Sequence, residues 1–407
     1  MKRRWPIGLA FLLLVAAAAQ AQFTCTINPG GETVTITGYT GNGGAVVIPA
    51  ATNGLRVVSI GGDAFLGRDD LTSITIPGSV TNIGVGAFDQ CAGLTNAILA
   101  NGLISIGAEA FAYCGGLTTL AIPGTVSSIG PEAFSACSGM SAITVEAGNP
   151  FYSSLAGVLF DKNQTTLIAY PGGGDGSYTI PGGVTRVGDY AFEYRANLAA
   201  VAIPGSVTNI GAYAFRDCPR LSSVTIPGGV TRIGLGAFMN CDHLAGVTIL
   251  GGVTSFGQDV FYQCWSLTNA TLANGIASIG QGAFYDCTNL VAVTIPGSVA
   301  EIGDHAFSQC AGLARVTIAD GVRSIGADAF SRCAHLPGLT IPGSVTNIGD
   351  RAFFECAGLT NVYFQGNAPA AGPSVFLSDD RATIYYAPGT TGWGGTFAKR
   401  PTLPWKP

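Results

Sequence analysis

Apolar and polar residues alternate in short bursts along this chain, and each burst is closed by proline or glycine. Between Leu71 and Gly93, Leu71, Ile74 and Ile76 are interleaved with Ser73 and Thr75, the period-two pattern of a strand with one buried face. Pro77-Gly78 ends that strand, because proline cannot donate to a ladder and glycine supplies the turn. Val80 and Ile83 predict a second, shorter extended piece. Gly84 then permits a sharp bend, and the spacing of Ala87, Phe88 and Cys91 predicts one buried helical turn before Leu94 opens the next unit.

The segment Ile83 to Phe88 recurs, ending on Phe65, Phe111, Phe134, Phe215, Phe238, Phe284, Phe307, Phe330 and Phe353, with variants ending on Phe192 and Phe261. Successive Phe positions differ by 23, except between Phe134 and Phe192. That gap holds a longer, atypical unit at about 145–180, whose apolar strands could still stack. One unit cannot bury its own apolar face, whereas stacked units share a continuous core. The expected fold is therefore a repeat solenoid, a leucine-rich-repeat-like right-handed superhelix. Its 23-residue repeats supply parallel β-strands about 4.8 Å apart, joined by short helical turns. Residues 59–366 form the solenoid in this reading. Residues 22–58 form an N-terminal cap and 367–407 a C-terminal cap, since bare parallel ends invite aggregation. The second cap carries Tyr385, Tyr386, Trp393 and Trp405 among many Gly and Pro.

Composition fits a core that runs the length of the chain. Of 407 residues, 47% are hydrophobic and only 11% charged, and 59 are Gly. Residues 1–21 read as a signal peptide: Lys2, Arg3 and Arg4, an apolar run from Ile7 to Ala19, and an Ala19-Gln20-Ala21 cleavage site. The apolar run is 13 residues, short of the roughly 20 a spanning helix needs. No Cys follows the cleavage point and no second apolar segment appears, so the mature chain is expected to lack a lipid anchor there and a transmembrane segment. The net charge is −5, and removing Lys2, Arg3 and Arg4 leaves 16 basic against 24 acidic residues. A mildly acidic product gives nucleic acid and anionic lipid no electrostatic footprint.

Eleven Cys in an exported chain would ordinarily suggest disulfides. Ten of them (91, 114, 137, 218, 241, 264, 287, 310, 333 and 356) fall three residues after a repeat Phe. Side chains in equivalent slots point the same way at the strand spacing, whereas a disulfide needs Cβ atoms converging to about 3.8 Å. The ten read as a row of buried thiols acting as small hydrophobes. Arg68 and Arg195 take the slot in two units, where looser packing is expected, and Cys25 stands alone.

No metal site is expected, because zinc wants four converging ligands rather than a row. His243 and His335 share a slot four repeats apart and His305 occupies another, all read as exposed. Gly172 to Gly176 faintly resembles a calcium-binding turn and is read as a loop tip. Glu109 and Glu132 occupy one slot in adjacent coils, near the carboxylate separation of retaining glycosidases. They are assigned instead to the start of the helical turn, complementing its dipole as Asp63, Asp259 and Asp328 would.

The most regular outward feature is a Thr row at 225, 248, 271, 294, 317 and 340. Two residues earlier the row varies: Ser223, Gly246, Asn269, Ala292, Arg315 and Gly338. Constant Thr beside a variable position is what an evolvable binding face would show. Thr also suits any half-buried strand without a ligand. The candidate face comprises Ser223, Thr225, Thr248, Asn269, Thr271, Thr294, Arg315, Thr317 and Thr340.

The unit L-x-x-V-T-I-P-x-x-V-T-x-I-G-x-x-A-F-x-x-C-x-x resembles the BspA-like class of leucine-rich repeat. Lys162 to Tyr178 resembles the longer variant unit of these proteins, and Ile384 to Gly389 through Trp393 is similar to the C-terminal segment of many exported members. The resemblance implies an exported, non-catalytic surface or secreted protein that adheres to or binds an extracellular protein or glycan, with no cofactor. The alternative is a structural protein whose coils self-associate, and a carbohydrate enzyme comes third.

Overall fold

In the computed structural model, residues 22–173 and 176–405 are described. The expected signal segment therefore lies outside the described residues, as do Gly174 and Asp175 of the glycine-rich turn. Two compact units are distinguished, the first drawn from residues 22–164 with 169–173 and the second from 165–168 with 176–405.

The first unit opens on an antiparallel hairpin, Phe23–Ile27 against Thr33–Tyr39. Its coils then build two parallel sheets. The longer strands Leu71–Ile76, Asn96–Leu99, Thr119–Ile122 and Ala142–Val145 form one together with Gly44–Val47, and the two-residue strands Asn82–Ile83, Ser105–Ile106 and Ser128–Ile129 belong to the other. Partners such as Ile83 and Ile106 lie one repeat apart. The atypical unit departs from pure stacking. Tyr152–Leu155 and Val158–Asp161 pair as an antiparallel hairpin. Ala156 and Gly157 turn it with φ of 49° and 80°, the left-handed pair a two-residue hairpin loop demands.

The second unit repeats the alternation of longer and two-residue strands, divided among several sheets. Ser223–Ile226, Gly246–Ile249, Asn269–Leu272, Ala292–Ile295 and Arg315–Ile318 run parallel and in register. So do Gly338–Ile341, Asn361–Phe364 and Thr383–Tyr386, followed by Arg400–Pro404. Inside, Phe192, Phe215, Phe238, Phe261, Phe284, Phe307, Phe330, Phe353 and Phe376 stack with ring centroids 4.7–5.5 Å apart. The ten repeat Cys are buried and unbridged, and Cys25 is free and half-buried. Each repeat thiol donates to the Phe carbonyl of the coil before, as Cys264 does to Phe238 at 3.2 Å. In the first unit Arg68 takes the thiol slot, where its guanidinium holds the carbonyls of Tyr39 and Gly41 rather than marking loose packing.

The expected short helical turns are not found: the described residues contain no helix, and none long and apolar enough to cross a membrane. Hydrogen-bond direction explains the difference. A helix sends each N–H to the carbonyl four residues back. Here Gly236, Phe238 and Asn240 donate to Gln258, Val260 and Tyr262 of the next coil, and only Met239 bonds locally, to Gly236. Sending alternate amides along the stacking direction needs a left-handed residue on either side of Phe238, and Gly236 and Asn240 have φ of 56° and 57°. The two flanking slots are left-handed in every repeat from Phe65 to Phe353, as at Asp63 and Gly67 or Arg351 and Glu355, while at Phe376 only the later slot, Ser378, is.

Glycine after the repeat Ile also serves another purpose than the expected bend. A Cβ on Gly280 would lie 2.1 Å from the Gly257 carbonyl oxygen, and one on Gly234 would lie 2.4 Å from the Ala212 nitrogen. Neither glycine has a positive φ, so the constraint is close approach of one coil's backbone to the next.

Candidate functional site

On the longer strands Val224, Val247 and Val293 point inward, so by the two-residue pleat the Thr row points out. Ser223, Thr225, Asn269, Thr271, Thr294, Arg315 and Thr317 are exposed, and Thr248 and Thr340 half-buried. The register places Thr225, Thr248 and Thr271 side by side, and Thr294 beside Thr317. Threonines elsewhere in the coil bond to the preceding coil, as Thr268 Oγ1 does to the Ala245 carbonyl and Thr231 to that of Thr208. The outward row makes no such bond among the described residues, so its hydroxyls face solvent.

Two hollows interrupt this face. One, of about 350 Å³, is lined by Asn269, Ala270, Thr271, Leu272, Ala292, Val293 and Thr294. Its cause is local: Ala270 stands where the adjacent strands carry Val, and pairing with the next strand covers only Asn269 to Ala292 and Ala270 to Val293. The other, an open cleft of about 500 Å³, is lined by Tyr363, Tyr385, Leu403, Pro404 and Trp405. Register connects it to Thr340, because Thr340 pairs with Tyr363, Tyr363 with Tyr385 and Tyr385 with Leu403. The Tyr363 and Tyr385 rings stack at 5.0 Å, and Trp405 tilts against Tyr363 at 5.4 Å. No lining residue is charged. An uncharged aromatic cleft of this size suits an apolar ligand face with few polar contacts.

Burial pushes the thiols of Cys264 and Cys310 up to about 12, against the backbone N–H of the previous Cys, so both stay protonated at neutral pH. Glu109 and Glu132 sit in equivalent slots as expected. They occupy left-handed turn positions, with φ of 55° and 56°, and not the first turn of a helix. Asp63, Asp259 and Asp328 likewise sit in left-handed turn positions rather than at the start of a helix, with φ of 55°, 55° and 52°. His243 and His335 are exposed and His305 half-buried. Among the described residues no group of three or more His, Cys, Asp or Glu is placed to hold a metal ion.

The BspA-type leucine-rich repeat model matches in 6 copies, over residues 58–164, 176–290 and 254–383. The chain belongs to the BspA-type leucine-rich repeat family. Solved structures agree on the fold. A leucine-rich repeat protein from Bacteroides ovatus is 26% identical with a TM-score of 0.55, over 84% of this chain and 93% of that one. Another from Eubacterium ventriosum is 22% identical with a TM-score of 0.59, over 82% and 93%. No curated protein matches the chain. The BspA-type repeat accounts for the Phe, Cys and Gly slots. The aromatic cleft lies beyond its last matched residue, apart from Tyr363.

Proposed function

We propose that this chain is an exported, non-catalytic BspA-type protein that binds an extracellular protein or glycan through its strand face, serving adhesion at a cell surface. The observation that carries the reading is the outward Thr340, the last of the row, whose strand leads in register into the cleft of Tyr363, Tyr385 and Trp405. Large rigid aromatics supply contact area at low entropic cost and dominate binding energy where they cluster. The basic start and short apolar run of residues 1–21 support export, and the family supports a binding role over catalysis.

Screening the mature chain on arrays of matrix proteins and glycans, followed by titration of the best partner, tests this. Tyr385→Ala and Trp405→Ala should each weaken binding about tenfold or more, the size of a hot-spot truncation. Glu109→Gln should leave it unchanged. Silence across the arrays, with a light-scattering mass that grows with concentration, would replace this reading with self-assembly.

A further inference from the structure

The slot three residues after each stacked Phe holds Cys in the coils from Phe215 to Phe353, and after Phe376 it holds Asp379. The thiols of Cys218, Cys241, Cys264, Cys287, Cys310, Cys333 and Cys356 each donate to the Phe carbonyl one coil back, at 3.0–3.3 Å. By the same spacing the Phe353 carbonyl is the acceptor expected for a hydrogen on Asp379. A carboxylate has no hydrogen to give it, whereas a carboxylic acid has one. Asp379 is 2% exposed, and although the Cys356 N–H and Arg400 lie near it, neither of its oxygens reaches a donor in bonding geometry.

Its charged and titratable surroundings are few. Glu355 and Cys356 face it from the coil before, Asp380 follows it, and Arg400 stands on the last strand. Arg400 Nη1 pairs with Asp380 at 2.8 Å, while its buried Nε has no partner. Burial pushes the Asp379 carboxyl up to about 7, helped by Asp380 and Glu355 and opposed by the Cys356 N–H and Arg400.

We propose that Asp379 is a proton-operated latch on the C-terminal strand of the second unit. Protonated, it continues the thiol ladder by donating to the Phe353 carbonyl. Ionised, it releases its proton to solvent and draws Arg400 away from Asp380, and the strand Arg400–Pro404 loosens. Leu403, Pro404 and Trp405 line the aromatic cleft, so the latch also governs the cleft's shape. The folded-state value lies above that of an unfolded carboxyl near 4, so the stabilisation is complete below about pH 4. It is lost as pH rises to about 7.

Hydrogen exchange on the full chain tests the latch, with rates expressed as protection factors to remove the intrinsic effect of pH. Protection at Ile384 to Tyr386 and at Thr402 and Leu403 should fall at least tenfold from pH 5 to pH 8, with Val247 and Ile249 as an unchanging reference. Asp379→Cys should restore the ladder and abolish the dependence, and Asp379→Asn should abolish it as well. Equal wild-type protection at both pH values, or an Asp379→Cys protein that keeps the dependence, would overturn the proposal.

Discussion

Replacing Gly280 by Ala is expected to destabilise the second unit by about 3 kcal/mol, the upper range for forcing a methyl into a packed interior. The added carbon would sit 2.1 Å from the Gly257 carbonyl oxygen and 2.6 Å from that of Phe256. Both are backbone atoms, which cannot swing aside as a flexible side chain would. Relief requires those two coils to separate, and separation weakens hydrogen bonds between them such as Asp259 N–H to the Gln281 carbonyl. Gly246 provides the control: a Cβ there meets nothing within 4 Å. Gly246→Ala should therefore change stability by no more than about 0.5 kcal/mol. Urea denaturation of the two variants reads the difference as a shift in midpoint. Equal midpoints would mean the coils are not in contact along the Ile-Gly bend.

Phe238→Ala should cost about 3–5 kcal/mol, the usual result of emptying a fully buried aromatic site. Phe238 is fully buried and stacks on Phe215 at 4.9 Å and on Phe261 at 5.4 Å. Its loss thus removes contacts with two coils at once, and in a solenoid those nearest-neighbour contacts supply the cooperativity. Unfolding of the variant should broaden as well as shift. A loss below about 1 kcal/mol in the same urea experiment would place that ring at the surface.

The strands and the interior were legible because both leave a burial period in the sequence. Ile, Phe and Cys recur at one interval, and equal intervals stack. The turn was misread because Ala87, Phe88 and Cys91 specify only what is buried. That spacing fits a helical turn and a left-handed one alike. The discriminating signal lay in the flanking slots: Asp63, Gly86, Gly236, Asp259 and Gly282 before Phe, and Gly67, Asp217, Asn240 and Asp286 after it. These are residue types that tolerate φ near +55°. Tyr113, Glu132 and Arg351 hold the same conformation and blur the signal. The aromatic cleft was missed for a different reason. Tyr363 occupies the Thr slot one repeat after Thr340, and Tyr385 pairs with it in turn. Tyr363 lies among the repeats and Tyr385, Leu403, Pro404 and Trp405 lie within residues 367–407, so no single repeat shows them together.

The stacking itself is tested most directly by pulsed electron-spin distances between labels on the outward row. In a Cys25→Ser background, where the remaining thiols are buried, Thr225→Cys is labelled together with Thr294→Cys, Thr317→Cys or Thr340→Cys in turn. Identical slots one above another predict separations that rise by about 4.8 Å per coil, reaching about 24 Å for the widest pair. Distances that fail to rise with each added repeat would contradict the stacked coil.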